Sequence, residues 1–336
     1  MIMRKPDPGT LPDAHSYASG ARFGLAVSAQ QAEGYLEPAA LRALVTRAET
    51  LGFDSLWVTD HISFRNPVLE AVVALTAVAA WTERVALGTG VMLLPLRHPS
   101  LVAKQIASLD ALSGGRVILG VGIGGEGEKD FEAVGVPREA RGRRSDEALD
   151  VLRRLWRERP ASHHGRFFSF SEVTIEPPPH QPGGPPIWIG GRSPAALRRV
   201  AQRGDGWLAY FASPRRFATD WAEVKRLSEA AGRDPAELTP ALTSTIAIRT
   251  DSSAARQALA EHLTRRYHQP FDPERVGSLA IAGSPAECLD RVSQYLEAGV
   301  RHLTFLLSGP ADGACEEAEE LYRSVVEPLR QARIGD

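Results

Sequence analysis

A single α/β barrel of the (β/α)8 class follows from three features of this 336-residue chain. Short β-branched or apolar runs alternate with longer helical patterns from residue 21 almost to the end. Parallel strands need long crossovers, and here the crossovers carry helical sequence. Eight such units over about 290 residues match a closed barrel better than an open doubly wound sheet.

The strands are expected at about 21–28, 54–59, 84–92, 116–122, 186–190, 205–208, 242–249 and 301–307. Helix starts mark the units between them. Pro38 follows Glu37, Pro67 follows Asn66, and Pro194 follows Ser193, each a first-turn position where the missing N–H costs nothing. The helix expected over 67–81 is apolar almost all round, with Val68, Leu69, Val72, Val73, Leu75, Val78 and Trp81. A barrel helix facing water shows one apolar stripe, so its second face is expected to meet another copy of the chain in a homodimer. Cover by loops or by the N-terminal arm is the alternative. Two segments interrupt the rhythm, 158–186 with an aromatic run and a Pro-Gly tract, and 265–284, and both are expected as insertion segments at the barrel mouth. Residues 1–20 read as a flexible arm before one domain spanning 21–332.

Composition excludes several classes. A formal charge of −2 offers no polyanion surface, so nucleic acid is not an expected partner. Cys288 and Cys315 alone make neither a disulfide scaffold nor a zinc site. No uninterrupted apolar stretch is long enough to cross a bilayer, and the N-terminus lacks a signal-peptide core, so a cytoplasmic enzyme is expected. The pair His163-His164 lacks a third ligand at useful spacing, and no metal is expected.

In this fold chemistry collects at the C-terminal ends of the strands. Strand two ends in Asp60 and His61; strand three ends in "LGTGVMLLPLRHP", with Gly90, Val91, Arg97 and His98. Strands four and five end in glycine tracts, Gly122-Ile123-Gly124-Gly125 and Gly190-Gly191-Arg192-Ser193. Backbone N–H groups at such turns, beside a helix N-terminus, suit an anionic phosphate. An ordinary βα turn with Ser193 as N-cap is the competing reading. His61 can exchange a proton near neutral pH at the mouth, and Asp60 points the other way if the strand persists. A loop histidine beside a capping aspartate is the bland alternative, and His98 reads as the start of the next helix. Gly120-x-Gly122-x-x-Gly125 has the dinucleotide spacing, yet three βα units precede it and no helix follows at once. A glycosidase pairing Asp60 with Glu126 lacks the aromatic residues expected of a sugar site.

The segments "RAETLGFDSLWVTDH", "LGTGVMLLPLRHP", "LGVGIGGEGEKDFEAVGVPREARGRRSDEAL" and "PPIWIGGRSPAALRRVAQRGDGW" resemble, in the same order, the signatures of the bacterial luciferase-like oxidoreductases. The resemblance runs from Phe23 to about Leu329. It implies a luciferase-like barrel with a tricyclic cofactor in its mouth, backed by a bulge with a cis peptide at Gly90–Val91. It also implies a cofactor phosphate at Gly122, Ile123, Gly124 and Gly125 and at Gly190, Gly191, Arg192 and Ser193. Asp60 and His61 would lie beside the ring, His61 would donate a proton or orient a small-molecule substrate, and Glu126 falls near a position where some relatives place an acid. The motifs are more similar to the branch using the deazaflavin coenzyme F-420 (F420) than to the branch using FMN with oxygen. An FMN monooxygenase and a barrel that binds cofactor without turnover are the other readings.

Overall fold

The computed structural model describes residues 20–27, 37–64, 66–125 and 127–332. The expected arm and Glu126 therefore lie outside the described residues. Eight parallel strands close on themselves: β1 (Arg22–Ala26), β2 (Ser55–Val58), β3 (Ala86–Thr89), β4 (Val117–Gly122), β5 (Ile187–Gly190), β6 (Gly206–Tyr210), β7 (Thr239–Ile248) and β8 (His302–Leu307). Each pairs with the next, and β8 returns to β1.

The barrel's lumen is packed. Trp57, Ala86, Ile118, Trp188, Leu208 and Ala241 form one buried layer drawn from six strands. The rings of Trp57 and Trp188 lie 5.2 Å apart. Two glycines make room for them, since a Cβ on Gly88 would meet Trp57 at 2.3 Å and one on Gly206 would meet Trp188 at 2.6 Å. Below, Trp57 Nε1 donates to Ser55 Oγ at 2.7 Å, and Ser55 Oγ lies 2.8 Å from His302 Nε2. Burial holds the His302 imidazole down at about 3.

Helices α1 (Pro38–Leu51), α2 (Ala71–Trp81), α3 (Pro99–Ser113), α4 (Arg141–Arg157), α5 (Pro194–Arg203), α6 (Pro214–Ala230) and α7 (Pro285–Glu297) surround the strands. Pro38 and Pro194 open α1 and α5 as expected, whereas the helix expected from Pro67 starts only at Ala71. The Glu70 carboxylate decides this: it accepts the Val73 N–H at 2.9 Å as the cap. Strand three is shorter than the run 84–92. It stops at Thr89, bulges, and resumes as Met92–Leu93 against Val121 and Gly122.

The two insertions take different places. Residues 158–186 form a hairpin, Ala161–His164 with Ser169–Val173, docked on the flank of α3 and α4 and not across the mouth. The half-buried Glu147 side chain explains this. Its carboxylate on α4 accepts the N–H groups of Arg166, Phe167 and Phe168, and the Phe168 ring packs on His98 and Arg144. The 265–284 segment does reach the mouth, as the end of helix Ser252–Tyr267, helix Pro273–Leu279 and the short strand Ile281–Gly283 beside β7. Buried Asn66, in the loop after β2, ties it down: Nδ2 donates to the Arg266 carbonyl at 3.3 Å and Oδ1 lies 3.0 Å from His268 Nε2. Among the described residues no helix is long and apolar enough to cross a membrane.

Candidate active site

The floor of the mouth is built around one side chain. The Gly90–Val91 peptide is cis, and Gly90 N–H donates to the Val58 carbonyl of β2 at 2.7 Å. Val91 then turns its side chain across the ends of the next two strands. A Cβ on Gly122 would sit 2.5 Å from Val91 Cγ2, and one on Gly190 would sit 3.0 Å from Val91 Cγ1. Val91 therefore leaves no room for a side chain at Gly122 and little at Gly190, a packing reason not visible in the sequence.

The glycines beyond them shape the turns. Gly124 and Gly191 have left-handed backbones, with φ of 70° and 107°. A Cβ on Gly125 would meet open space. Among the described residues, the N–H groups of Ile123, Gly124, Gly125, Gly191, Arg192 and Ser193 donate no backbone hydrogen bond outside the strand ladders. The Ser193 hydroxyl accepts the Ala196 N–H at 3.2 Å, so it caps α5 as the ordinary-turn reading requires. The exposed Arg192 guanidinium donates across to the Phe211 carbonyl. Trp207 Nε1 donates to the Gly191 carbonyl at 2.7 Å and fixes the turn from behind.

His61 follows β2 with its side chain 12% exposed, its ring stacked on Phe64 at 4.0 Å. Its Nδ1 lies 2.9 Å from Oδ2 of Asp130, which is buried on the short helix Glu128–Ala133. The other oxygen of Asp130 accepts the N–H groups of Ile62 and Ser63 at 2.8 and 2.7 Å. The carboxylate thus holds both the imidazole and the loop carrying it. Nε2 is left to meet a reactant, the arrangement a general acid or base needs.

Asp60 is held quite differently from His61. It is 2% exposed, and Arg97 grips it with Nη1–Oδ2 and Nη2–Oδ1 both at 2.7 Å. Oδ2 also accepts the Leu93 N–H at 2.9 Å. Burial holds its carboxyl above the usual range, and the Arg97 charge offsets this only in part. Through these three contacts Asp60 anchors the chain just past the Val91 bulge to β2. Arg97 continues to Glu70 at 3.2 Å. His98 caps α3, accepting the Ser100 N–H through Nδ1, as the sequence suggests.

Asp130 and Arg97 are the site residues that the sequence reading missed. Arg97 stood in a quoted motif but carried no assigned partner. Asp130 stood in the polar run "EGEKDF", four residues past Glu126.

The closed barrel and this rim define an enzyme that works at the C-terminal ends of its strands. The sequence profile of the luciferase-like monooxygenase family matches residues 18–302, and the chain belongs to that family as an oxidoreductase. The F420-dependent glucose-6-phosphate dehydrogenase of Beutenbergia cavernae is 31% identical over 345 residues, covering 94% of this chain and 98% of its own. The 5,10-methylenetetrahydromethanopterin reductase of Archaeoglobus fulgidus is 29% identical over 251 residues, 75% of this chain and 69% of that one. The solved structure of an F420-dependent secondary alcohol dehydrogenase in complex with an F420-acetone adduct matches with a TM-score of 0.78 at 22% identity. It covers 91% of this chain and 99% of that one, and speaks for the fold.

Proposed function

We propose that the chain is an F420-dependent oxidoreductase that exchanges hydride between the coenzyme and a small carbonyl, imine, activated alkene or alcohol. One observation carries this reading: Val91, turned by a cis peptide, packs over two glycine-ended strands on the rim that also holds the His61–Asp130 pair. Names of relatives that use F420 point the same way.

The residues fit such a group. Val91 would back a planar ring, and the N–H groups of Ile123, Gly124, Gly125, Gly191, Arg192 and Ser193 would hold its anionic tail. The bound reduced deazaflavin supplies the hydride and, having carbon where FMN has the reactive nitrogen, does not readily activate oxygen. His61 Nε2 would give a proton to the substrate's oxygen or nitrogen, or remove one from an alcohol in the reverse direction. Asp130 keeps the imidazole turned and its Nδ1 hydrogen in place. Asp60 and Arg97 hold the bulge.

Titrating the apo chain with F420 and with FMN tests the reading. Tight F420 binding with weak FMN binding is expected; FMN preference would hand the site to oxygen chemistry. Tight F420 binding with no acceptor reduced, and no change in any rate for His61→Ala, would leave a barrel that binds without turnover. The same reading includes a homodimer, since Val73 of α2 and Leu101 and Leu112 of α3 are 67%, 65% and 77% exposed on neighbouring helices. Light scattering at micromolar concentration checks it.

A further inference from the structure

Beside the glycine turn of β5, and sharing Arg192 with it, lies a cavity of about 380 Å³ whose other walls have no part in the reaction described above. Phe211, Phe271, Val276 and Leu279 line it, with Arg192 and Arg275 as its cationic groups and Gln269 and Asp272 as its other polar ones. The rings of Phe211 and Phe271 lie 6.4 Å apart and nearly parallel, at 22°. Phe211 is held with a left-handed backbone, φ 51°, which a bulky side chain rarely adopts. Arg192 secures that conformation by donating to the Phe211 carbonyl. Such strain persists where the surroundings enforce it, and it tends to cluster at ligand sites.

We infer that this cavity takes the non-reacting end of the substrate, and that this end is an aromatic or flat apolar group bearing a carboxylate or similar anion. Binding cavities of this size are mostly apolar with a few placed polar groups, and this one has that composition. Two aromatic faces accept a ring by offset or edge packing. Asp272 spends one carboxylate oxygen on the Arg275 N–H at 2.8 Å as a helix cap. Among the described residues no acidic side chain within salt-bridge distance neutralises the Arg275 guanidinium, leaving its fork for an anion. A phosphosugar would set its hydroxyls against the Phe211 and Phe271 faces, which return no hydrogen bond, and would leave those faces without a ring to pack. The substrate class thus differs from that named for the dehydrogenase relative of Beutenbergia cavernae. This deepens the redox reading and rests on it.

The test is calorimetric titration of the full chain with trans-cinnamate, cinnamyl alcohol and glucose 6-phosphate, each with and without bound F420. Cinnamate is expected to bind, and Arg275→Gln to weaken it about tenfold while leaving cinnamyl alcohol unchanged. Phe271→Ala should weaken both aromatic probes. Equal F420 affinity in parent and variants shows that the barrel is intact. Tighter binding of glucose 6-phosphate than of cinnamate overturns the inference, as does cinnamate binding indifferent to Arg275→Gln. So does a loss in Arg275→Gln confined to the coenzyme's glutamyl tail, seen by comparing F420 with its tail-free chromophore. If the parent chain binds cinnamate as expected but no F420, the cavity stands and the redox assignment falls.

Discussion

The imidazole of His61 and the carboxylate of Asp130 meet at 2.9 Å although 69 residues separate them in the chain. The contact joins the loop after β2 to the short helix after β4, and the carboxylate orders that loop. Asp130 spends its second oxygen on the N–H groups of Ile62 and Ser63, so removing it frees the histidine's loop as well as its ring.

Asp130→Asn keeps the volume and one acceptor but no longer fixes the tautomer. The turnover number should fall on the order of 10²-fold, with the pH–rate profile displaced, while F420 affinity stays within a few-fold. Steady-state kinetics across pH 5 to 9 measure it. A merely structural aspartate would change stability and leave the shape of the profile alone.

Arg97→Met strands a buried carboxylate. The loss should be about 3–5 kcal/mol in chemical denaturation, because Asp60 keeps its burial and loses the cation that pairs with it among the described residues. Asp60→Asn should cost less, about 1–3 kcal/mol, and should leave proton transfer by His61 within a few-fold of the parent.

Gly122→Ala forces a methyl to within 2.5 Å of Val91 Cγ2. F420 affinity, read by quenching of the coenzyme's fluorescence, should drop at least tenfold, while FMN stays weak. Val91→Ala in the same chain vacates the contested space and should restore part of the loss, a coupling that a double-mutant cycle would record.

Acid stability should depend on His302. Burial holds its imidazole at about 3, whereas the unfolded chain takes up a proton near the ordinary value of about 6.5. Between those values the unfolded state binds more protons, so this contribution is complete above about 6.5 and is lost progressively as pH falls toward 3. His262, held at about 4 by burial and by Arg266, acts in the same sense. The thermal midpoint should decline from pH 7 to pH 5, and His302→Gln should flatten that decline at a cost in stability at pH 7.

The barrel was legible because its signals are local and repeat. Apolar runs bounded by glycine, and prolines behind Glu37 and Ser193, each report on a few residues of chain. The floor was legible only in part. Glycine at 122 and 190 could be seen, but its cause, the Val91 side chain, arrives from a third strand. Asp130 was out of reach because its helix is a single six-residue turn inside a polar run, with no periodicity to face it toward His61. Alternation at the strand end already set Asp60 and His61 on opposite sides, but not that Asp60 would meet Arg97 or His61 would meet Asp130. The hairpin at 158–186 was placed over the mouth because a Pro-Gly tract says that the chain leaves the barrel and not where it lands.

The roof of the mouth stands on foundations of its own. Leu259, Leu263, Val276 and Ala280 form a separate small core with Ala247, and Phe211, Tyr267 and Phe271 pack against it. Its stitch to the far bank is the Asn66 amide. Drift in those few side chains can therefore redraw what the enzyme admits while the machinery beneath stays untouched, so lineages sharing this floor are free to diverge in diet before they diverge in chemistry.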